Sequence, residues 1–282
     1  MLRTSLALLF ALALTTAAFG QVPDPLQSAA LMTPGRSVAS MQLSAAPATA
    51  TATCTYQFTI PATAMRQYLQ YCVTVNGNIV EFQSPAGSEH IAFGMIGEGY
   101  SVCDITNVLR VGYLDYAGYG DFDTGHWGAP TLLSQTATQV KIARTTTDGN
   151  FTLNQTFLQT TADSSVKVTM ALTNNTGITR QVWLARFADV DAESNALNTG
   201  DGTFNTAFAY LGSPFKGMQL SLAAANPFTH NGFAVPSINT ACNLTAGFSG
   251  TLVNADVAIG FYNVMTIKAG KSASFSFKYK GI

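Results

Sequence analysis

Asp189, Asp191, Glu193 and Asn195 stand at alternate positions in the segment 186–205, and Asp201 follows them. Calcium takes roughly six to eight oxygen ligands from carboxylates, amides and carbonyls. This segment offers such atoms at high density in a chain whose charged residues make up only 10%. It is not an EF-hand, because Ser194 holds the place of the sharp-turn glycine and no Glu stands at the twelfth position. The same residue types build solvated acidic turns, since Asp and Asn bond their own backbone, and they also build sugar-contacting loops. The expectation is an exit loop after a strand that holds calcium or stiffens one end of the fold.

A second set occupies 113–127. Tyr113, Tyr116, Tyr119 and Trp127 are interleaved with Asp121, Asp123 and His126. Aromatic faces stack on sugar rings while carboxylates accept from hydroxyls. Gly118, Gly120 and Gly125 argue for a loop, and loops on rigid scaffolds often carry binding sites. The alternative is a loop folded over its own aromatic residues.

Signals for catalysis are sparse. His90, His126 and His230 are scattered, and Glu89 and His90, as neighbours on a strand, point to opposite faces. Asp121 and Asp123 share a face if that segment is extended, which is a paired-carboxylate arrangement. No G-x-S-x-G elbow is present. The run 269–272 imitates the end of a phosphate loop, but Met265 stands where its first glycine belongs. Arg144 and Arg186 sit inside apolar runs; each is either an inward arginine paired to a carboxylate, Arg186 with Asp189 or Asp191, or an outward residue.

The elements that must position these groups read as β. The segment 72–82 places Asn76-Gly77 between two strand-like runs, and 139–159 does the same around Asp148-Gly149. A third hairpin is expected from 166–184 around Asn174-Asn175-Thr176-Gly177. The last strand, 272–279, alternates Phe275, Phe277 and Tyr279 with Ser and Lys. Strict alternation means half-buried antiparallel strands. Helical propensity is confined to 62–70. These signals point to an all-β fold, an antiparallel sandwich or supersandwich with hairpin connections, in one domain over 54–282.

Arg3, the apolar run 6–14 and the small residues 18–20 have the form of a signal peptide over 1–20. An Ala/Ser/Thr/Pro-rich leader follows over 21–53. No second long apolar stretch appears, so no transmembrane segment is expected in the mature chain, and the location expected is secreted or periplasmic. Cys54, Cys72, Cys103 and Cys242 then form two disulfides. Three pairings are open and spacing cannot choose between them; Cys54–Cys72 with Cys103–Cys242 is the preferred one. The formal net charge is −1 and no basic cluster stands in the sequence, which argues against nucleic acid as a partner.

The segments 71–78 (YCVTVNGN), 98–104 (EGYSVCD) and 186–191 (RFADVD) together resemble a group of uncharacterised secreted bacterial all-β proteins, over roughly residues 54–280. That resemblance brings no activity with it. The stretch 166–191, two strands about an Asn-Asn-Thr-Gly turn with acidic residues at the exit, is similar to parts of supersandwich proteins related to sugar mutarotases. Those proteins use a Glu base and two His in one pocket, and no such set is found here. The function expected is a non-catalytic binding or surface protein that contacts a polysaccharide or cell-surface glycan through 113–127. The one cofactor candidate is calcium at 189–201. The alternatives are a carbohydrate-active enzyme using Asp121, Asp123 and His126, or a purely structural surface component.

Overall fold

The computed structural model describes residues 53–282 apart from 92–96, 119–120, 123, 213–214, 237, 239 and 244–250; at 121 and 122 it describes the backbone alone. The expected signal peptide, and all but the last residue of the expected leader, lie outside the described residues. The described strands belong to the compact unit Ala45–Ile282.

The strands are β1 (Tyr56–Ile60), β2 (Leu69–Val73), β3 (Ile79–Gln83), β4 (Glu98–Asp104), β5 (Val111–Ala117), β6 (Asp121–Phe122), β7 (Thr131–Gln135), β8 (Gln139–Thr145) and β9 (Phe151–Thr160), then β10 (Ser165–Asn174), β11 (Arg180–Val190), β12 (Asn198–Gly202), β13 (Thr206–Leu211), β14 (Lys216–Leu222), β15 (Thr229–Val235), β16 (Leu252–Ala255), β17 (Val257–Ile267) and β18 (Ser272–Gly281). A small sheet takes the order β1-β2-β3. A nine-stranded sheet runs β16-β12-β13-β14-β18-β10-β9-β8-β7, and a six-stranded sheet runs β15-β17-β11-β4-β5-β6. The pairings between strands are antiparallel. The result is an all-β sandwich of open sheets.

Alternation decides which faces meet. Phe151, Leu153 and Phe157 on β9, Val166, Val168 and Met170 on β10, and Phe275, Phe277 and Tyr279 on β18 all point into one core. Fully burying such a side chain stabilises by roughly 1.5–3 kcal/mol. The intervening outward positions are mostly Thr, Ser and Lys. Strand β11 is buried on both faces. Val182, Leu184, Ala188 and Val190 face the nine-stranded sheet, while Ala185 and Phe187 join Leu114, Tyr116, Ile238 and Ala241 in a second cluster. A strand buried on both sides loses the apolar–polar alternation, which is why 180–190 reads as almost continuously apolar.

The hairpins expected at 72–82 and 139–159 are present as β2–β3 and β8–β9, and Gly77 and Gly149 adopt φ of +86° and +75°. The third is corrected. Strands β10 and β11 lie in different sheets. Both edges of β10 are already occupied, by β9 and β18, so β11 has no edge to pair with. The Asn174 amide donates to the carbonyls of Ile178 and Ile267 and fixes the crossing between sheets. The stretch 62–70 forms no helix; it makes a tight turn closed by Thr63 and Arg66 and then enters β2. The disulfides are Cys54–Cys72 and Cys103–Cys242, the preferred pairing.

Candidate functional site

Of the aromatic segment, Tyr113, Tyr116 and Trp127 are core. Tyr113 and Tyr116 lie on β5 and, like Trp127, are at most 3% exposed. Tyr113 and Asp115 face inward, and Trp127 packs edge-on against Tyr100 and Tyr113 with centroids 5.4 and 6.3 Å apart. The Tyr113 hydroxyl donates to Asp148 at 2.6 Å. His126 accepts at Nδ1 from the Leu114 amide, 3.1 Å away. A ring that stacks on a sugar needs an open face, so the binding role expected of Tyr113, Tyr116 and Trp127 is corrected. Strand β5 ends at Ala117, directly before Gly118, so Tyr113 and Tyr116 belong to the strand and not to the glycine-bearing segment that follows. Asp121 lies on β6, its backbone paired with Ala117. Tyr119 and Asp123 lie outside the described residues.

The acidic segment is also divided differently. Asp189 is within β11 rather than in its exit loop, and Asp201 is within β12. Asp191 leads into a short 3-10 turn, Ala192–Ser194. Glu193 turns away to pair with Lys216 at 2.9 Å and accepts from Ser88. Asn195 Oδ1 accepts from the Leu197 amide. Asp201 accepts from Thr251 and from the Gly202 amide. With these oxygens committed in separate directions, no group of three His, Cys, Asp or Glu able to hold a metal exists among the described residues. The expected calcium set is not assembled.

What does assemble is a cluster of carboxylates. Asp189 hydrogen-bonds Asp256, with Asp191 nearby, and burial together with these two neighbours pushes the Asp189 carboxyl up to about 8. Asp191 is also raised, by burial and by Asp256. Like charges close together favour the protonated form, so Asp189 holds a proton. The unfolded chain gives up this proton in the ordinary carboxylate range, whereas the folded chain keeps it until about pH 8. Its contribution to stability is therefore complete below the unfolded value and is lost as pH rises through the folded one. Calorimetry between about pH 5 and about pH 9 should give a melting temperature that falls for the parent and falls several degrees less for Asp189→Asn. Parallel curves would show that Asp189 holds no such proton.

The sandwich interior holds two buried ion pairs. Arg186 alternates with Leu184 and Ala188 on the inner face of β11 and is fully buried. It meets Glu98, which lies diagonally across the β11–β4 ladder, with Nε–Oε1 at 2.5 Å and Nη2–Oε2 at 2.9 Å. Diagonal neighbours on one face are within reach of long side chains. Glu98 also accepts from the Tyr279 hydroxyl and the Ile79 amide. Burial pushes its carboxyl up to about 7 against the pull of Arg186. The second pair joins Arg144 on β8 to Asp115 on β5 at 2.7 Å. Arg144 also donates to the carbonyls of Gly128 and Trp127 and to Tyr100. The β2–β3 loop caps both pairs: Gly77 O accepts from Arg186, Asn76 O accepts from Tyr100, and Asn78 donates to Asp115. A Cβ on Gly77 would stand 2.5 Å from Gln155 Nε2. The inward-arginine reading of Arg144 and Arg186 holds, but the partner of Arg186 is Glu98 rather than Asp189 or Asp191. Each guanidinium is satisfied by protein groups, so the interior charges are structural.

The open aromatic surface is elsewhere. On β13, Ala207 and Ala209 point inward, leaving Thr206, Phe208 and Tyr210 on the outer face of the nine-stranded sheet. Phe208 and Tyr210 stack at 6.1 Å, and Phe215, 62% exposed, meets Tyr210 edge-on at 4.5 Å. Phe208 lies beside Asp201 and Gln219, and Thr206 beside Ser221. At this end an open cleft of about 440 Å³ is lined by Asn205, Thr206, Ser221, Leu222 and the alanines at 223–225. Sequence reading missed this face; its signal was the alternation of alanine with aromatic residues in 206–210, in which the small residues go inside.

No family model and no curated protein matches the chain. Among solved structures, a bacterial glucoamylase complexed with acarbose is similar over 84% of this chain, with 12% identity and a TM-score of 0.55. The similar region is 34% of the glucoamylase chain, so this chain spans about a third of that protein. A galactose mutarotase related enzyme from Lactobacillus acidophilus gives 7% identity and a TM-score of 0.43, over 80% of this chain and 97% of that one. Heparan sulfate lyase HepC from Pedobacter heparinus gives 10% identity and a TM-score of 0.44, over 83% and 35%. Mutarotase-like proteins are thus among the structural neighbours at low identity, and the likeness is one of fold.

Proposed function

We propose that this chain is an exported, non-catalytic glycan-binding protein that binds through the outer face of the nine-stranded sheet at β13 and β14. The observation that carries the reading is the strip of half-buried Phe208 and Tyr210 with exposed Phe215, set beside amide and hydroxyl groups and open to the cleft at Thr206 and Ser221. Rings held on a rigid sheet offer sugar rings an apolar face at low entropic cost, and the flanking polar groups meet the hydroxyls. The fold likeness to part of a glucoamylase that binds acarbose supports this reading. The two disulfides fit an oxidising compartment, and among the described residues no helix is long and apolar enough to cross a membrane.

Affinity electrophoresis in gels containing soluble starch, xylan or polygalacturonate tests the reading. At least one glycan should retard the parent protein, and Tyr210→Ala should weaken that retention about tenfold, since central aromatic anchors carry much of the energy of an interface. Unretarded migration in every gel would end the proposal. A second reading, a carbohydrate-active enzyme, is favoured by the Asp189 carboxyl, which burial and the neighbouring Asp256 and Asp191 push up to about 8, the feature closest to a general acid. It requires release of reducing sugar that Asp189→Asn and Asp256→Asn abolish.

A further inference from the structure

We propose that the glycan taken by this face is anionic, a uronate-bearing or sulfated chain, and that Lys167, Lys278 and Lys280 read its charge; this rests on the glycan-binding reading above. In the sequence Lys167 stands far from Lys278 and Lys280. The fold gathers them. Lys167 and Lys278 are directly opposite each other on β10 and β18, and Lys280 projects from the same face two residues further along. Like charges directly opposite on neighbouring strands destabilise the pair. Asp163 meets Lys278 at 2.6 Å and lies close enough to Lys280 to interact with its charge. Asp163 is held below the ordinary carboxylate range by that hydrogen bond and by the charges of Lys278 and Lys280, although partial burial opposes this.

The lysines continue the aromatic strip. Lys278 neighbours Ser221, and Lys280 neighbours Gln219, across the β14–β18 ladder. Ser221 and Gln219 in turn neighbour Thr206 and Phe208. One row therefore runs Thr206, Ser221, Lys278, Lys167, and the next runs Phe208, Gln219, Lys280. At about 4.8 Å per strand, the first row covers roughly 14 Å, room for more than one sugar ring. Among the outward residues of the strands from β12 to β8, the one carboxylate is Asp201, on the far side of Phe208 and already bonded to Thr251. In a chain with 10% charged residues and a net charge of −1, this face concentrates positive charge beside stacking surface and hydrogen-bonding side chains. A carboxylate or sulfate on a sugar meets an ammonium here while an adjacent ring lies on Phe208 or Tyr210. Exposed pairs of this kind are screened by salt.

The test uses the mature chain with polygalacturonate, chondroitin sulfate, a neutral glucan and a single-stranded DNA oligomer as probes, with affinities measured by titration calorimetry. The variant is Lys167→Thr with Lys280→Thr, which leaves the Lys278–Asp163 pair in place, and circular dichroism checks its fold. The expected result is tighter binding of an acidic polysaccharide than of neutral glucan. Its affinity should weaken as salt rises, and the ratio of acidic to neutral affinity should drop about tenfold in the variant. An unchanged ratio, or a preference for neutral glucan that Tyr210→Ala abolishes, would overturn the anionic assignment and leave glycan binding standing. DNA bound as tightly as the acidic polysaccharide would overturn it in favour of a general polyanion site. Failure of every glycan to bind would remove the glycan-binding reading itself.

Discussion

Glu98→Gln should lower the free energy of unfolding by about 3–5 kcal/mol, because it strands a buried guanidinium. Arg186 lies wholly inside the sandwich, over the Phe157 ring, and among the described residues its one ionic partner is Glu98. Gln155, Gly77 O and Tyr279 would still accept from it, but none of them carries the compensating charge. Every group that reaches Glu98 is a donor: Arg186 twice, the Tyr279 hydroxyl and the Ile79 amide. An amide in its place turns an N–H toward one of these donors, so a hydrogen bond is lost together with the charge. Native domains hold only about 5–15 kcal/mol in total, so the variant should unfold at markedly lower urea with an unchanged slope. Removing both partners, Glu98→Leu with Arg186→Met, should cost less than either single change, since replacing a buried pair by apolar groups is often neutral. A loss below about 1 kcal/mol for Glu98→Gln would mean that water reaches the pair. The interior polar groups would then have to be reconsidered as a reaction site.

The same network explains what sequence could and could not tell. Alternation in β9, β10 and β18 was plain, because each has one face in the core and one in water, and the glycine turns at 77 and 149 followed from it. Strand β11 carried the same local signal as a hairpin partner of β10, yet paired elsewhere because the edges of β10 were already taken. The arginines were visible as polar intruders in apolar runs. Their partners were not, since Glu98 and Asp115 lie on strands 88 and 29 residues away and only the ladder register brings them together. The aromatic residues of 113–127 misled because composition does not distinguish a ring stacked on a ligand from one packed in a core. The outward rings of β13 were passed over because alanine faces inward there. Charge likewise had to be read on a face rather than along the chain: Lys167 and Lys278 are neighbours only because β10 and β18 pair.

Breaking Cys103–Cys242 should destabilise more than breaking Cys54–Cys72, and the two losses measure different things. A crosslink restricts the unfolded chain in proportion to the logarithm of the loop that it closes. The sequence separations are 139 and 18, which correspond to about 5 and about 3 kcal/mol. The long-range bridge has a second, native-state role. It fixes the segment bearing Ile238 and Ala241 over Leu114, Tyr116 and Phe187, the cluster on the outer side of the six-stranded sheet. Gly112, opposite Cys103 on β5, leaves room for it: a Cβ there would lie 2.9 Å from Ala241 and 3.3 Å from Cys242 Sγ. Cys103→Ala with Cys242→Ala should therefore add a local signature, faster amide exchange along β4 and β5, which Cys54→Ala with Cys72→Ala should not produce. Equal losses for the two pairs would assign the stabilisation to packing around each bridge rather than to loop closure. A loss of about 5 kcal/mol would consume much of an ordinary domain's stability. The sandwich, and with it the rigid sheet that holds Phe208, Tyr210 and the lysines in register, would then persist only where thiols are kept oxidised.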